Sequence, residues 1–251
     1  KVLGLAMIGL SIYVMIASQP PLSKAVYHTF WPEKIDVKMI VALVGGTVGG
    51  YISFAGAHRL LDANIKGMGA IPQVNKSAVT GILITSIMRY VLFLAALGVV
   101  WGGSKLGEKN PAASVFQIAA GNIGYKFFGV VMWSAAITSV IGASYTAVSF
   151  WKTFSLSLEK NQKWLISAFI IISTLIFIFI HQPPSYILVT AAALNGLILP
   201  VALAVMLIAV TKKRLFNNYR HPLWMQVAGW LVVALMSWMG LITIQQSIGK
   251  F

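Results

Sequence analysis

The run Tyr186-Ile187-Leu188-Val189-Thr190-Ala191-Ala192-Ala193-Leu194-Asn195-Gly196-Leu197-Ile198-Leu199-Pro200-Val201-Ala202-Leu203-Ala204-Val205-Met206-Leu207-Ile208-Ala209-Val210 contains no charged residue. About 20 mainly apolar residues in a helix cross the hydrocarbon core of a bilayer. The run is therefore long enough to span, and it is apolar on every side, as a helix facing lipid or other helices must be. Two features interrupt it. Pro200 has no N–H and leaves the carbonyl four residues earlier, that of Gly196, without its helical donor. Asn195 carries the only side-chain amide of the run. A polar group beside a proline kink fits a gate or the wall of a site as well as it fits a structural hydrogen bond.

Working outward, six more runs have the same character: Val2–Ala17, Met39–Ala57, Ser77–Trp101, Phe127–Trp151, Trp164–Ile180 and Val227–Ile244. The expectation is an all-α membrane protein of about seven spans, with residues 1–251 forming one transmembrane transporter domain. Composition agrees. The chain is 58% hydrophobic and only 10% charged, against about 25% charged in soluble domains. The loops are punctuated by Pro20-Pro21, Trp31-Pro32, Ile71-Pro72, Gly102-Gly103, Asn110-Pro111, Gln182-Pro183-Pro184 and His221-Pro222. The chain opens on Lys1 directly before an apolar run, without a signal-peptide pattern. It reads as the C-terminal part of a longer chain.

The net charge is +14. Nucleic acid is not the expected partner, because the basic residues sit between apolar runs, where the positive-inside rule collects them. One set of helix ends holds Lys1, Arg59, Lys66, Lys76, Lys152, Lys160, Lys163, Lys212, Lys213, Arg214 and Arg220; the other holds Lys24, Lys34, Lys38, Lys105, Lys109, Lys126 and Lys250. The richer set is expected in the cytoplasm. With no cysteine and only five acidic residues, disulfides, thiolate metal sites and paired-carboxylate catalysis are not expected, and neither is enzyme activity or a cofactor. The expected partners are the lipid bilayer and a transported cation or small solute. The oligomeric state stays open.

Four further signals lie within the runs. Gly45-Gly46-Thr47-Val48-Gly49-Gly50-Tyr51 places four glycines in six residues, and each costs a helix about 1 kcal/mol relative to alanine. One reading is an unwound stretch lining a substrate site, with Gly45, Gly46, Gly49, Gly50, Tyr51 and Asn195 as its walls. The other is a smooth packing face. Arg89 is a cation inside an apolar run and is expected to have a functional or structural partner. Thr138 and Ser139, with Ser134, Ser144, Tyr145 and Thr146, offer hydroxyls that could coordinate an ion or bond to their own helix. His58 is a candidate proton relay, and Arg59 is placed to pair with Asp62.

The sequence Leu194-Asn195-Gly196-Leu197-Ile198-Leu199-Pro200 resembles the tenth helix of NRAMP-type divalent-metal transporters, and more closely that of their NRAMP-related branch. Ala42-Leu43-Val44-Gly45-Gly46-Thr47-Val48 resembles the family's sixth helix just before its unwound site, and Gly142-Ala143-Ser144-Tyr145-Thr146-Ala147 is similar to its eighth. Order and spacing agree over essentially the whole chain, as helices five to eleven of an eleven-helix core. The resemblance implies part of the LeuT-type inverted-repeat fold and secondary-active symport of a divalent cation across the bacterial cytoplasmic membrane. The family's sixth helix continues with Met-Pro-His-Asn, where this chain has Gly49-Gly50-Tyr51-Ile52. Many members carry Gln where this chain has Ile198. Loss of a soft thioether disfavours manganese and iron and leaves a harder ion such as magnesium. The alternatives are an ion-coupled carrier of an amino-acid-like or organic-acid solute, and a non-transporting membrane subunit.

Overall fold

The computed structural model describes residues 2–48, 58–108, 110–151, 160–212 and 221–248. These residues are helical with short connections, and no strand occurs among them. In chain order the α-helices are α1 (Val2–Ala17), α2 (Leu22–Phe30), α3 (Val37–Val48), α4 (His58–Asp62), α5 (Ile71–Trp101), α6 (Pro111–Trp151), α7 (Gln162–Ile180), α8 (Pro184–Thr211) and α9 (Leu223–Ile248). A short 3₁₀ turn, Met68–Ala70, precedes α5.

Five helices among the described residues are long and apolar enough to cross a membrane, and α1 with α2 forms a sixth candidate bent by 103°. The expected all-α, multi-span architecture is therefore present. Side-chain exposure agrees. No residue in the span of α7 is buried within the protein, and Ile171, Ile172 and Phe179 all stand open. A continuous apolar face of this size needs lipid or further protein around it.

The chain divides into two compact units. The first comprises residues 1–34 and 65–143. In it α1 packs on α5, and the core gathers Val14, Ala95, Val99, Ala113, Val115, Phe116 and Phe128. The first span turns where Pro20-Pro21 stand, and α2 follows instead of the expected open loop. The ammonium of Lys24 on α2 lies 4.3 Å from the ring centre of Trp101 at the end of α5, a cation–π contact that holds the bent segment in place.

The expected fourth span, Phe127–Trp151, begins earlier than its hydrophobicity indicates. Asn110 caps the helix through its side-chain oxygen, which accepts from the Ala113 N–H at 3.1 Å, and α6 starts at Pro111. Gly121 then breaks it with φ 64° and ψ −162°, a conformation open to glycine and costly for other residues. In a straight helix Phe116 and Phe128 would lie roughly 18 Å apart along the axis. Their rings stack at 4.5 Å, so the chain reverses at Gly121 and the two halves of α6 pack on each other.

The second unit comprises residues 35–64 and 144–251. Here α8 packs on both α3 and α9, and α9 on α3. α7 ends at Ile180, and the left-handed backbone of His181 (φ 53°) turns the chain into Pro183-Pro184 and α8, where the sequence places a loop. The expected second span, Met39–Ala57, is described only as far as Val48; residues 49–57 lie outside the described residues, and the helical chain is picked up again at His58.

Lys66 and Lys105 are exposed at opposite ends of α5. They give a direct test of orientation in a chain free of cysteine. A cysteine at position 105 should react with a membrane-impermeant thiol reagent on intact cells, and one at position 66 should not. The reverse pattern would invert the topology.

Candidate functional site

The glycines that the sequence singles out lie at the crossing of α3 and α8 in the second unit. Gly45 is buried and helical. A Cβ placed on it would run into the carbonyl oxygen of Ala192 and the backbone nitrogen of Gly196. A Cβ on Gly196 would run into the carbonyl oxygen of Val41. Each helix thus presents a glycine to the other's backbone. A Cβ on Gly46 would meet only the Ala192 methyl at 3.2 Å. Gly45 and Gly46 lie inside α3, in keeping with the packing reading, while the rest of the expected unwound stretch lies outside the described residues. The propensity cost of glycine is offset by backbone approach that a side chain would forbid. Gly49, Gly50 and Tyr51 lie outside the described residues.

Asn195 is half-buried beside Gly196 at this crossing, and Pro200 is buried within α8 one turn further on. Because Pro200 cannot donate, α8 supplies no amide to the Gly196 carbonyl. Gly45, Gly46 and Gly196 thus meet at the α3–α8 crossing, with Asn195 and Pro200 on the same stretch of α8. An amide side chain and a backbone carbonyl are neutral oxygen groups, the type a hard cation accepts. Among the described residues no group of three or more His, Cys, Asp or Glu comes together as a metal site.

The remaining candidates are placed elsewhere. Thr138 and Ser139 are exposed on the α6 segment of the first unit. The Thr138 hydroxyl donates to the carbonyls of Ala135 at 2.9 Å and Ser134 at 3.3 Å, which is back-bonding to its own helix. Arg89 belongs to the first unit too, exposed on α5. His58 opens α4.

In the second unit the end of α6 presents buried hydroxyls: Ser144, Thr146 and Ser149. Arg59 binds here. Its Nη1 donates to the Thr146 Oγ1 at 3.1 Å, and its guanidinium carbon lies 4.7 Å from the centre of the Tyr145 ring. The expected pairing with Asp62 is replaced by this contact, and Asp62 is exposed. Sequence proximity favoured Asp62 at i+3. A guanidinium, however, can stack on a ring and donate from its edge together, which one carboxylate on the surface does not match.

Comparison with known proteins bears on the whole chain. The family model described as "Natural resistance-associated macrophage protein-like" (Nramp) matches residues 1–246. A protein of Bacillus subtilis (strain 168), described as the uncharacterized membrane protein YcsG, is 59% identical over 244 residues; the match covers 97% of this chain and 60% of that protein. An uncharacterized membrane protein of Haemophilus influenzae is 49% identical over 251 residues, covering 100% of this chain and 63% of that protein. The chain thus spans somewhat less than two thirds of the length of these two relatives.

Proposed function

Since the chain belongs to the Nramp family, we propose that it is the membrane-embedded carrier domain of a secondary-active transporter for a divalent cation, and that its cargo is a hard ion such as magnesium. The protein is a multi-pass membrane protein by its apolar helices and by its relatives. The bacterial cytoplasmic membrane is its proposed location.

One observation carries the cation reading beyond family membership. Gly196 meets α3 at the α3–α8 crossing, Asn195 precedes it and Pro200 follows four residues on in α8, and α3 leads in sequence to Gly49-Gly50-Tyr51. The proposed site therefore draws on Gly45, Gly46, Gly49, Gly50, Tyr51 and Asn195. Carbonyl and amide oxygens favour magnesium or calcium; soft sulfur ligands would favour manganese or iron. Gly49 stands where the family's sixth helix carries Met, so the soft ligand is replaced by backbone oxygen. Proton or ion coupling through His58, Arg89, Thr138 or Ser139 remains part of the same proposal.

The test is a calorimetric titration of the complete protein in detergent with magnesium and with manganese chloride. Saturable magnesium binding, with manganese clearly weaker, is the expected result. Tight manganese binding with no response to magnesium would overturn the hard-ion reading while leaving the family unchanged.

A further inference from the structure

We propose that Arg59 is a positioning residue of this carrier, whose guanidinium anchors α4 to the C-terminal end of α6. The inference rests on the carrier reading above for its functional meaning, though not for its geometry. Arg59 on α4 makes two contacts with α6 at once. Its N–H reaches the Thr146 hydroxyl at 3.1 Å. Its flat face covers the Tyr145 ring at 4.7 Å from the ring centre. The two partners are consecutive in sequence and lie more than 80 residues from Arg59, so the contact is tertiary. Thr146 is buried, at 5% exposure, which gives the hydrogen bond a fixed acceptor.

The chemistry is specific to arginine. A guanidinium stacks and donates in its own plane, whereas an ammonium is a point charge on a flexible stem.

The experiment places a spin label on α4 through Asp62→Cys, an exposed position in residues 1–251, which contain no cysteine, with any cysteine elsewhere in the complete protein replaced by serine. Label mobility is read in the complete protein in lipid, beside uptake of magnesium. Arg59→Ala and Tyr145→Leu should each free the label, shortening its correlation time several-fold, and should slow uptake about tenfold. Tyr145→Phe keeps the ring and Thr146→Ser keeps the hydroxyl, so both should behave as the unaltered protein. Arg59→Lys should fall between. The double variant of Arg59→Ala with Tyr145→Leu should be no more mobile than Arg59→Ala alone, because Arg59→Ala already removes both contacts. An unchanged label signal in Arg59→Ala or Tyr145→Leu would overturn the proposal, as would equal loss in Tyr145→Phe and Tyr145→Leu. If Arg59→Ala fails to insert, Tyr145→Leu and Arg59→Lys still decide it. Absence of magnesium uptake by the unaltered protein would count against the carrier reading alone, since the label reports the anchor without transport.

Discussion

Gly45→Leu and Gly196→Leu are each expected to lower the melting temperature of the purified protein by roughly 6–12 °C, from a cost of about 3 kcal/mol. The cause is steric and reciprocal. At Gly45 an added Cβ meets the Ala192 carbonyl and the Gly196 nitrogen; at Gly196 it meets the Val41 carbonyl. All three obstacles are backbone atoms, so no rotamer change relieves the clash and the helices must part. Overpacking in a core costs about 1–3 kcal/mol when side chains can adjust, and this case belongs at the upper end. Gly81→Leu is the control, since nothing lies within 4 Å of a Cβ there. Gly46→Ala should also be mild, because its nearest neighbour is a methyl at 3.2 Å. Melting in detergent, followed by loss of the monodisperse chromatographic peak, provides the comparison. If Gly45→Leu melts with Gly81→Leu, the crossing is not as close as described.

Gly49→Met is expected to raise manganese uptake relative to magnesium by about tenfold, a preference of roughly 1.4 kcal/mol. The substitution returns the thioether that the family's sixth helix carries at this place. Sulfur is a soft ligand with little affinity for magnesium, so the gain should be confined to manganese, iron and similar ions. Initial rates with both ions present in competition give the ratio directly. A variant that loses both ions in proportion would mean that Gly49 is needed for space and not for its choice of ligand atom.

Much of the architecture could be read from residues. The spans α7 and α8 follow their uninterrupted apolar runs almost to the residue, and the Gln182-Pro183-Pro184 turn lies where the sequence places it. The less legible parts have physical causes. The apolar run from Phe127 carries no sign of the preceding helix, so the reversal inside α6 shows only in the backbone angles of Gly121 and the Phe116–Phe128 stack. The paired glycines Gly45-Gly46 fit both a break and a close crossing. Only the partner helix, with Gly196 at the facing position, distinguishes them. Arg59 was legible as a helix-end cation beside Asp62, but its contacts with Tyr145 and Thr146 depend on tertiary folding. A hydroxyl such as Thr138 is equally at home in an ion site and on its own helix, and here it bonds to the carbonyls of Ala135 and Ser134.

The central claim is that this chain carries a divalent cation through the membrane, with a preference for a hard ion. Flux measured in liposomes holding the complete protein tests it most directly, with an internal magnesium-sensitive dye and an imposed inward magnesium gradient. The account predicts saturable magnesium entry that an excess of external manganese inhibits only weakly. Liposomes that admit no divalent cation, yet accumulate a small organic acid under an ion gradient, would contradict it.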